Sequence, residues 1–136
     1  MPLSDELAHW FEQELFAAFA TKSPDGSINL TPVWVDHDGE HLLVNTLRGR
    51  RKERNVKRDP AVALMLLDPD DPYRYVTVQG EVVELTEEHA ADHYRDLAMR
   101  YTGEEDRYER RYGDEERSRV ILKIEPQRSA QVAIEG

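Results

Sequence analysis

The chain is 136 residues long, free of cysteine and acidic, with a formal charge of −10. That length fits one domain over residues 1–136, large enough to build a core without staples. The missing cysteines exclude a disulfide framework and a thiolate metal site, and the charge argues against a general nucleic-acid binder, which needs a basic face.

No apolar run nears the ~20 residues of a membrane span. The first residues, MPLSDELAHW, lack the basic-then-apolar pattern of a secretory leader. A soluble cytoplasmic chain is the expectation, with neither a membrane nor a nucleic-acid partner.

Ser4 is a plausible N-cap, followed by Asp5 and Glu6 in a favourable first turn. Leu7, Trp10 and Phe11 then recur at helical spacing, which predicts a helix over about Asp5–Glu12. The apolar run Leu15–Lys22 stops at Ser23-Pro24-Asp25-Gly26, a tight-turn tetrapeptide. Ile28–Val35 stops at a second turn signal, Asp36-His37-Asp38-Gly39, before His41–Thr46. Three strands joined by short turns predict an antiparallel meander. Pro32 lacks a donor and belongs on an edge or at a bulge.

Val44–Pro60 (VNTLRGRRKERNVKRDP) holds seven of the eighteen Lys and Arg residues. It reads as a strand passing through Leu47, Arg48 and Gly49 into a helix over Arg50–Arg58, closed by Asp59-Pro60. A helix start with free N–H groups and a positive dipole end is an anion site. Arg50, Arg51 and Lys52 in that first turn make phosphate the natural guest. Charge content alone favours a plain solvated helix face instead.

Ala61–Leu67 (AVALMLL) is apolar throughout and predicts a strand buried on both faces. Asp68-Pro69-Asp70-Asp71-Pro72 is an acidic loop. Tyr73–Leu85 predicts a long strand with a bend or bulge at Gly80. Thr86 is the expected cap of a helix whose apolar stripe is Ala90, Tyr94, Leu97, Ala98 and Tyr101, ended by Gly103. Glu104–Glu116 is polar and predicts a loop. Arg119–Ile124 predicts a last core strand broken by Pro126, with Ala130–Ile134 as an added edge. Six or seven strands and two or three helices, with no strand–helix–strand alternation, make an α+β, mainly β fold: a small antiparallel barrel with peripheral helices.

Classical catalytic signatures are missing: no GxSxG, P-loop, GxGxxG or HExxH occurs. His89 and His93, four apart on a helix, could ligate a metal, but two surface histidines explain the spacing as well, and no metal is expected. The Asp68–Asp71 cluster departs from a calcium loop in its prolines and missing glycine. A phosphate-binding junction without an evident nucleophile or acid–base pair suits a protein whose cofactor carries the chemistry.

Four segments in order (TKSPDGSINLTPVWVDHDG, LLVNTLRGRRKERNVKRDPAVAL, DPDDPYRYVTVQGEV and the Arg119–Ile124 strand) resemble the split β-barrel family of pyridoxamine 5′-phosphate oxidase-like proteins. That family has the FMN-binding split barrel fold. The TPVW run and the short DPDDPYRY connection are similar to the branch that uses the deazaflavin coenzyme F-420. The chain also ends without the extended C-terminal segment of the true oxidases, so pyridoxamine phosphate is not the expected substrate. One departure is Arg50, where the family often has Ser before its Arg-Lys pair.

The resemblance implies a homodimer with cofactor sites at the subunit interface. Arg50, Arg51 and Lys52 would hold the cofactor phosphate, and Asn55 would support their loop. Asn45 and Thr46 would line the ribityl chain and ring. Thr31, Pro32, Val33 and Trp34 would run along the ring. Tyr73 and Tyr75 would approach from the partner subunit, with Tyr75 a candidate proton donor. Charge suggests Arg48, Lys57 or Arg58 for the polyglutamate tail. The implied activity is hydride transfer from reduced coenzyme F-420 to an electron-poor small molecule such as an enone, quinone or tetrapyrrole. The alternatives are an FMN-dependent oxidoreductase on the same barrel, or a non-catalytic flavin- or haem-binding protein with His37 or His41 as an axial ligand.

Overall fold

The structure, a computed structural model, describes residues 2–104 and 118–133. In chain order the elements are α1 (Asp5–Glu12), β1 (Ala17–Lys22), β2 (Ile28–Val33), β3 (Asp36–His37), β4 (Leu42–Leu47), α2 (Arg51–Arg58), β5 (Ala61–Asp68), β6 (Asp71–Thr86), α3 (Ala90–Thr102) and β7 (Arg119–Ala133). The strands form one sheet in the order β2-β1-β5-β6-β7-β4-β3, and every neighbouring pair is antiparallel. The sheet curls around one apolar core, which makes the fold a split β-barrel.

The order corrects the expected meander. β1 and β2 form a hairpin, but β1 gives its other side to β5, so β2 becomes one edge of the sheet. The chain then crosses to the opposite edge, where β3 pairs with β4. Asp36 and His37, expected in a turn, are that short edge strand. The turn itself is built by Asp38, whose Oδ1 accepts from the N–H groups of Glu40 (2.9 Å) and His41 (2.7 Å). Pro32 sits opposite Ala18 on the edge strand β2, the kind of strand that tolerates a proline.

The concave face holds Phe19, Leu66, Val76, Val78, Leu122 and Ile124, all essentially sealed from water. α1 closes one end of the barrel with Leu7, Trp10 and Phe11. Its start follows expectation, with Ser4 Oγ accepting from Leu7 N–H at 3.2 Å. Burial of a side chain such as Phe11 stabilises the fold by about 1.5–3 kcal/mol.

β5 is not buried on both faces. Val62, Leu64 and Leu66 face the core, while Met65 and Leu67 are exposed. The register places Pro32, Ala18, Met65 and Thr77 in one row across the outer face, and Leu30, Ala20, Ala63 and Gln79 in the next. Leu30 is 65 % exposed there. A strand that reads as apolar throughout therefore shows half of its apolar side chains to the outside of this chain.

β6 runs for 16 residues because it bends. Its pairing with β7 shifts register between Gln79 and Gly80. A Cβ at Gly80 would stand 2.5 Å from the Glu125 carbonyl oxygen, so only glycine allows the approach. Pro126 pairs opposite Gly80. The bulge spares the hydrogen bond a proline lacks, so β7 continues through Pro126 instead of stopping, and Ala130 continues it.

α3 starts later than expected. Thr86 Oγ1 accepts from Glu88 N–H at 3.1 Å, but a further turn follows, and His89 enters the helix in the left-handed region with φ 60°. Gly103 ends it with φ 80°. Past Glu104, the stretch expected as a loop lies outside the described residues, as does Ile134. No helix among the described residues is long and apolar enough to cross a membrane.

Gly80→Val should lower stability by about 1–3 kcal/mol through backbone displacement at the β6–β7 bulge. Urea denaturation followed by tryptophan fluorescence reads this, and an unchanged midpoint would contradict the close-approach account.

Candidate functional site

The two ends of the curled sheet do not hydrogen-bond to each other. Residues 32–34 lie at one end and residues 45–47 near the other, yet both line one cavity of about 190 Å³. The cavity is the split in the barrel. Trp34 and Val35 carry the chain across it.

Its basic end comes from the junction after β4. Gly49 turns the chain with φ 88°, Arg50 N–H donates to Leu47 O at 3.2 Å, and Arg50 is the N-cap of α2 without a side-chain cap bond. Glu53, the one acid of that helix, is 2 % exposed. Its Oε1 accepts from Gly49 N–H at 3.0 Å, which fixes the turn. Asn55 is equally buried and donates to Thr21 Oγ1 (3.0 Å) and Ser23 Oγ (3.3 Å), pinning α2 to the β1–β2 hairpin. The helix start therefore faces the cavity as part of a rigid frame.

Arg50 and Lys52 line the cavity together with Arg119 from β7. None of the described residues lining it is acidic, in a chain of net charge −10. Burial lowers the Lys52 amine below the usual lysine range, and the adjacent Arg50 charge lowers it further. An anion beside it would relieve both effects.

The opposite wall is aromatic. The Trp34 ring lies near-parallel to Tyr101 (5.2 Å between centroids, 16°) and to Tyr94 (6.0 Å, 19°). The Arg119 guanidinium sits 3.6 Å from the Tyr94 centroid.

α3 is clasped to the crossing segment by polar groups. Tyr101 Oη accepts from Val35 N–H at 3.1 Å and donates to Leu15 O at 2.7 Å. Arg100 donates to the Val35 carbonyl and to Asp36 Oδ1 (3.3 Å). His93 Nε2 meets Asp36 Oδ2 at 3.0 Å. Asn45 Nδ2 donates to Ala90 O (2.9 Å) and faces His93 Nδ1 (3.1 Å). The Ala90 carbonyl fixes the amide's orientation, so Nδ1 is the acceptor. Burial alone would raise Asp36, but the His93 and backbone hydrogen bonds and the Arg100 charge outweigh it and lower its carboxyl.

The cavity thus gathers Pro32, Val33, Trp34, Asn45, Thr46, Arg50 and Lys52 of the expected site residues. Thr31 does not line the cavity and pairs with the core residue Phe19, whereas Asn45, which does line it, has a buried Oδ1 with no hydrogen-bond partner. Such a buried orphan atom fits a site that takes a polar guest. Arg51 is exposed at the helix start and Asn55 acts from behind. Tyr73 and Tyr75 do not line the cavity. Tyr75 pairs with Leu67, and both tyrosines share the outer face with Met65.

The cations expected for an anionic tail are engaged within the chain. Arg48 Nε is 3.8 Å from Glu87 Oε1, Lys57 Nζ is 3.6 Å from Glu53 Oε2, and Arg58 donates to Lys22 O at 2.6 Å. Among the described residues, no cluster of three or more acidic or histidine side chains is placed to hold a metal. His37 bonds Glu12 through Nε2 (2.9 Å) and Gly39 N–H through Nδ1 (3.0 Å), and neither His37 nor His41 lines the cavity.

Arg119, Tyr94, Leu97 and Phe16 were not foreseen in the site. Tyr94 and Leu97 read as helix stripe, and the pairing of Leu47 with Arg119 spans more than 70 residues of chain. No local pattern announces such a contact.

The family model described as pyridoxamine 5′-phosphate oxidase matches residues 3–133. No curated sequence relative matches. Among solved structures, an F420 reductase is 30 % identical over 96 % of this chain and 98 % of its own, with a TM-score of 0.74. A conserved hypothetical protein from Mycobacterium tuberculosis is 29 % identical over 96 % and 85 %, with a TM-score of 0.70. The haem storage protein HutZ from Vibrio cholerae shares the fold at 16 % identity, covering 97 % and 96 %, with a TM-score of 0.62.

Asp36→Asn should cost about 1.5–3 kcal/mol at pH 7, the scale of hydrogen bonds to a charged group. The folded carboxyl titrates below its unfolded value, so this stability is complete above about pH 4 and lost as pH falls through the folded value. Urea unfolding of wild type and variant at pH 7 and pH 3 should show the gap narrowing in acid. A pH-independent gap would contradict the clasp.

Proposed function

The chain belongs to the pyridoxamine 5′-phosphate oxidase family, and within it we propose a coenzyme F-420-dependent reductase acting on an electron-poor small molecule. The observation that carries this reading is the basic end of the split cavity, with Arg50 and Lys52 at the start of α2 and no acid among the described lining residues. A 30 % identical F420 reductase, matched over 98 % of its own chain, supports the deazaflavin over FMN.

In this reading Arg50 and Lys52 hold the cofactor phosphate, with N–H groups of the first α2 turn as further donors. Arg51 adds charge at the rim. Asn55 and Glu53 keep that turn in place. Asn45, Thr46 and residues 31–34 orient the ring system, mainly through backbone and amide groups. The reduced deazaflavin, when bound, supplies a hydride to an acceptor such as an enone, quinone or tetrapyrrole. The protein contributes proximity and exclusion of water.

The exposed outer face of β2, β1 and β5 is the second half of the proposal. It carries Ile28, Leu30, Met65 and Leu67, a contiguous apolar surface of the kind that marks an interface. A second copy of the chain covers it in a homodimer. Tyr73 and Tyr75 stand on this same face, so they serve a neighbouring subunit's cavity, where Tyr75 is a candidate proton donor. An acidic chain without cysteines suits the cytoplasm.

Lys52→Ala should weaken coenzyme F-420 binding by at least ~1.5 kcal/mol, as for a lost charge-assisted contact. Because burial and the Arg50 charge lower its amine, wild-type affinity should fall on the alkaline side before an ordinary lysine would titrate. Lys52→Arg, always charged, should remove that loss. Wild-type affinity in the alanine variant, by fluorescence titration, would refute the assignment. Leu30→Asp should convert the dimer to monomer in analytical ultracentrifugation, and a wild-type monomer would refute the dimer.

A further inference from the structure

We propose that Arg119 is the third cation of the same anion site and contacts the cofactor phosphate, held in place for that purpose by the ring of Tyr94. The inference rests on the cofactor reading above and adds a residue that no local motif marks.

The backbone brings Arg119 to the basic junction. It is the first residue of β7 and pairs with Leu47, the last residue of β4. The Leu47 carbonyl accepts the Arg50 N–H. Arg48 N–H in turn donates to Ser118 O at 2.9 Å, locking the strand ends together beyond that pair. Arg50 and Arg119 therefore leave the backbone on either side of one residue, and both side chains reach the same cavity as Lys52.

The side chain is also pre-organised. Its guanidinium lies over Tyr94 at 3.6 Å, close for a cation–ring contact. Tyr94 is 2 % exposed and near-parallel to Trp34. A flexible arginine is thereby held on a rigid ring instead of sweeping through solvent. Planar, bidentate geometry suits it to two phosphate oxygens, while Lys52 meets the group as a point charge. Three cations around one cavity repel each other; burial and, after it, the Arg50 charge already lower the Lys52 amine. A bound anion removes that repulsion.

The test separates phosphate from ring and tail. Binding is measured for coenzyme F-420 and for its ring-and-ribityl fragment without phosphate or tail, and for FMN and riboflavin. Wild type, Arg119→Gln and Arg119→Lys are compared, with thermal melts confirming that each is folded. Arg119→Gln should weaken F-420 and FMN by about tenfold or more and leave the two phosphate-free ligands within about twofold. Arg119→Lys should fall between. Equal losses on all four ligands would make Arg119 a wall residue, and a loss on F-420 but not FMN would place it on the tail carboxylates. Either result, or no change, overturns the proposal. If wild type binds none of the four, the cofactor reading fails separately. Arg119 is then read with inorganic pyrophosphate, where equal binding by wild type and Arg119→Gln overturns its anion role.

Discussion

The structure depends on a sheet that curls into a barrel without closing. β2 and β3 are consecutive in the chain but lie at opposite edges, and no ladder joins them. What spans the gap is the short crossing at Trp34 and Val35, and it cannot rely on strand pairing. Its backbone groups are satisfied instead from α3, through Tyr101 Oη and the Arg100 guanidinium. Unpaired backbone in a half-buried position would be costly, so these bonds maintain the opening as much as they fasten the helix. The cavity exists because the barrel is held open there.

The same opening explains the electrostatics. A chain of net charge −10 collects Arg50, Lys52 and Arg119 on one cavity and lines it with no described acid. The acid that belongs to this helix, Glu53, is turned inward to the Gly49 amide and the Lys57 amine. Three of the basic residues outside the cavity, Arg48, Lys57 and Arg58, have partners of their own. The three cations at the split act between walls of low polarity, which strengthen their field.

Much of this was legible in the sequence, and the rest was not for definite reasons. Helix starts and stops with local chemistry, such as Ser4, Gly103 and the Arg50–Arg58 run, fell within about a residue. Gly80 announced its bulge because a glycine inside a β-branched strand has few other uses. Strand order was not legible, since a turn signal at Asp36–Gly39 looks the same whether the preceding strand pairs across it or crosses to another edge. Pro126 misled for a related reason: its missing donor is harmless opposite a bulge that lies some 46 residues away in sequence. The doubly apolar pattern of β5 described its composition correctly, but one chain covers only one of its faces. Of the cavity, the half built from contiguous chain was foreseen; Arg119 and Tyr94 enter through long-range pairing and helix docking.

The most direct measurement is a pair of fluorescence titrations of the purified protein, with oxidised coenzyme F-420 and with FMN. The account predicts saturable, tight binding of the deazaflavin and markedly weaker binding of FMN. A preference for FMN would contradict the deazaflavin assignment while keeping the site. Binding of neither would contradict the claim that the split of this barrel is a cofactor cavity.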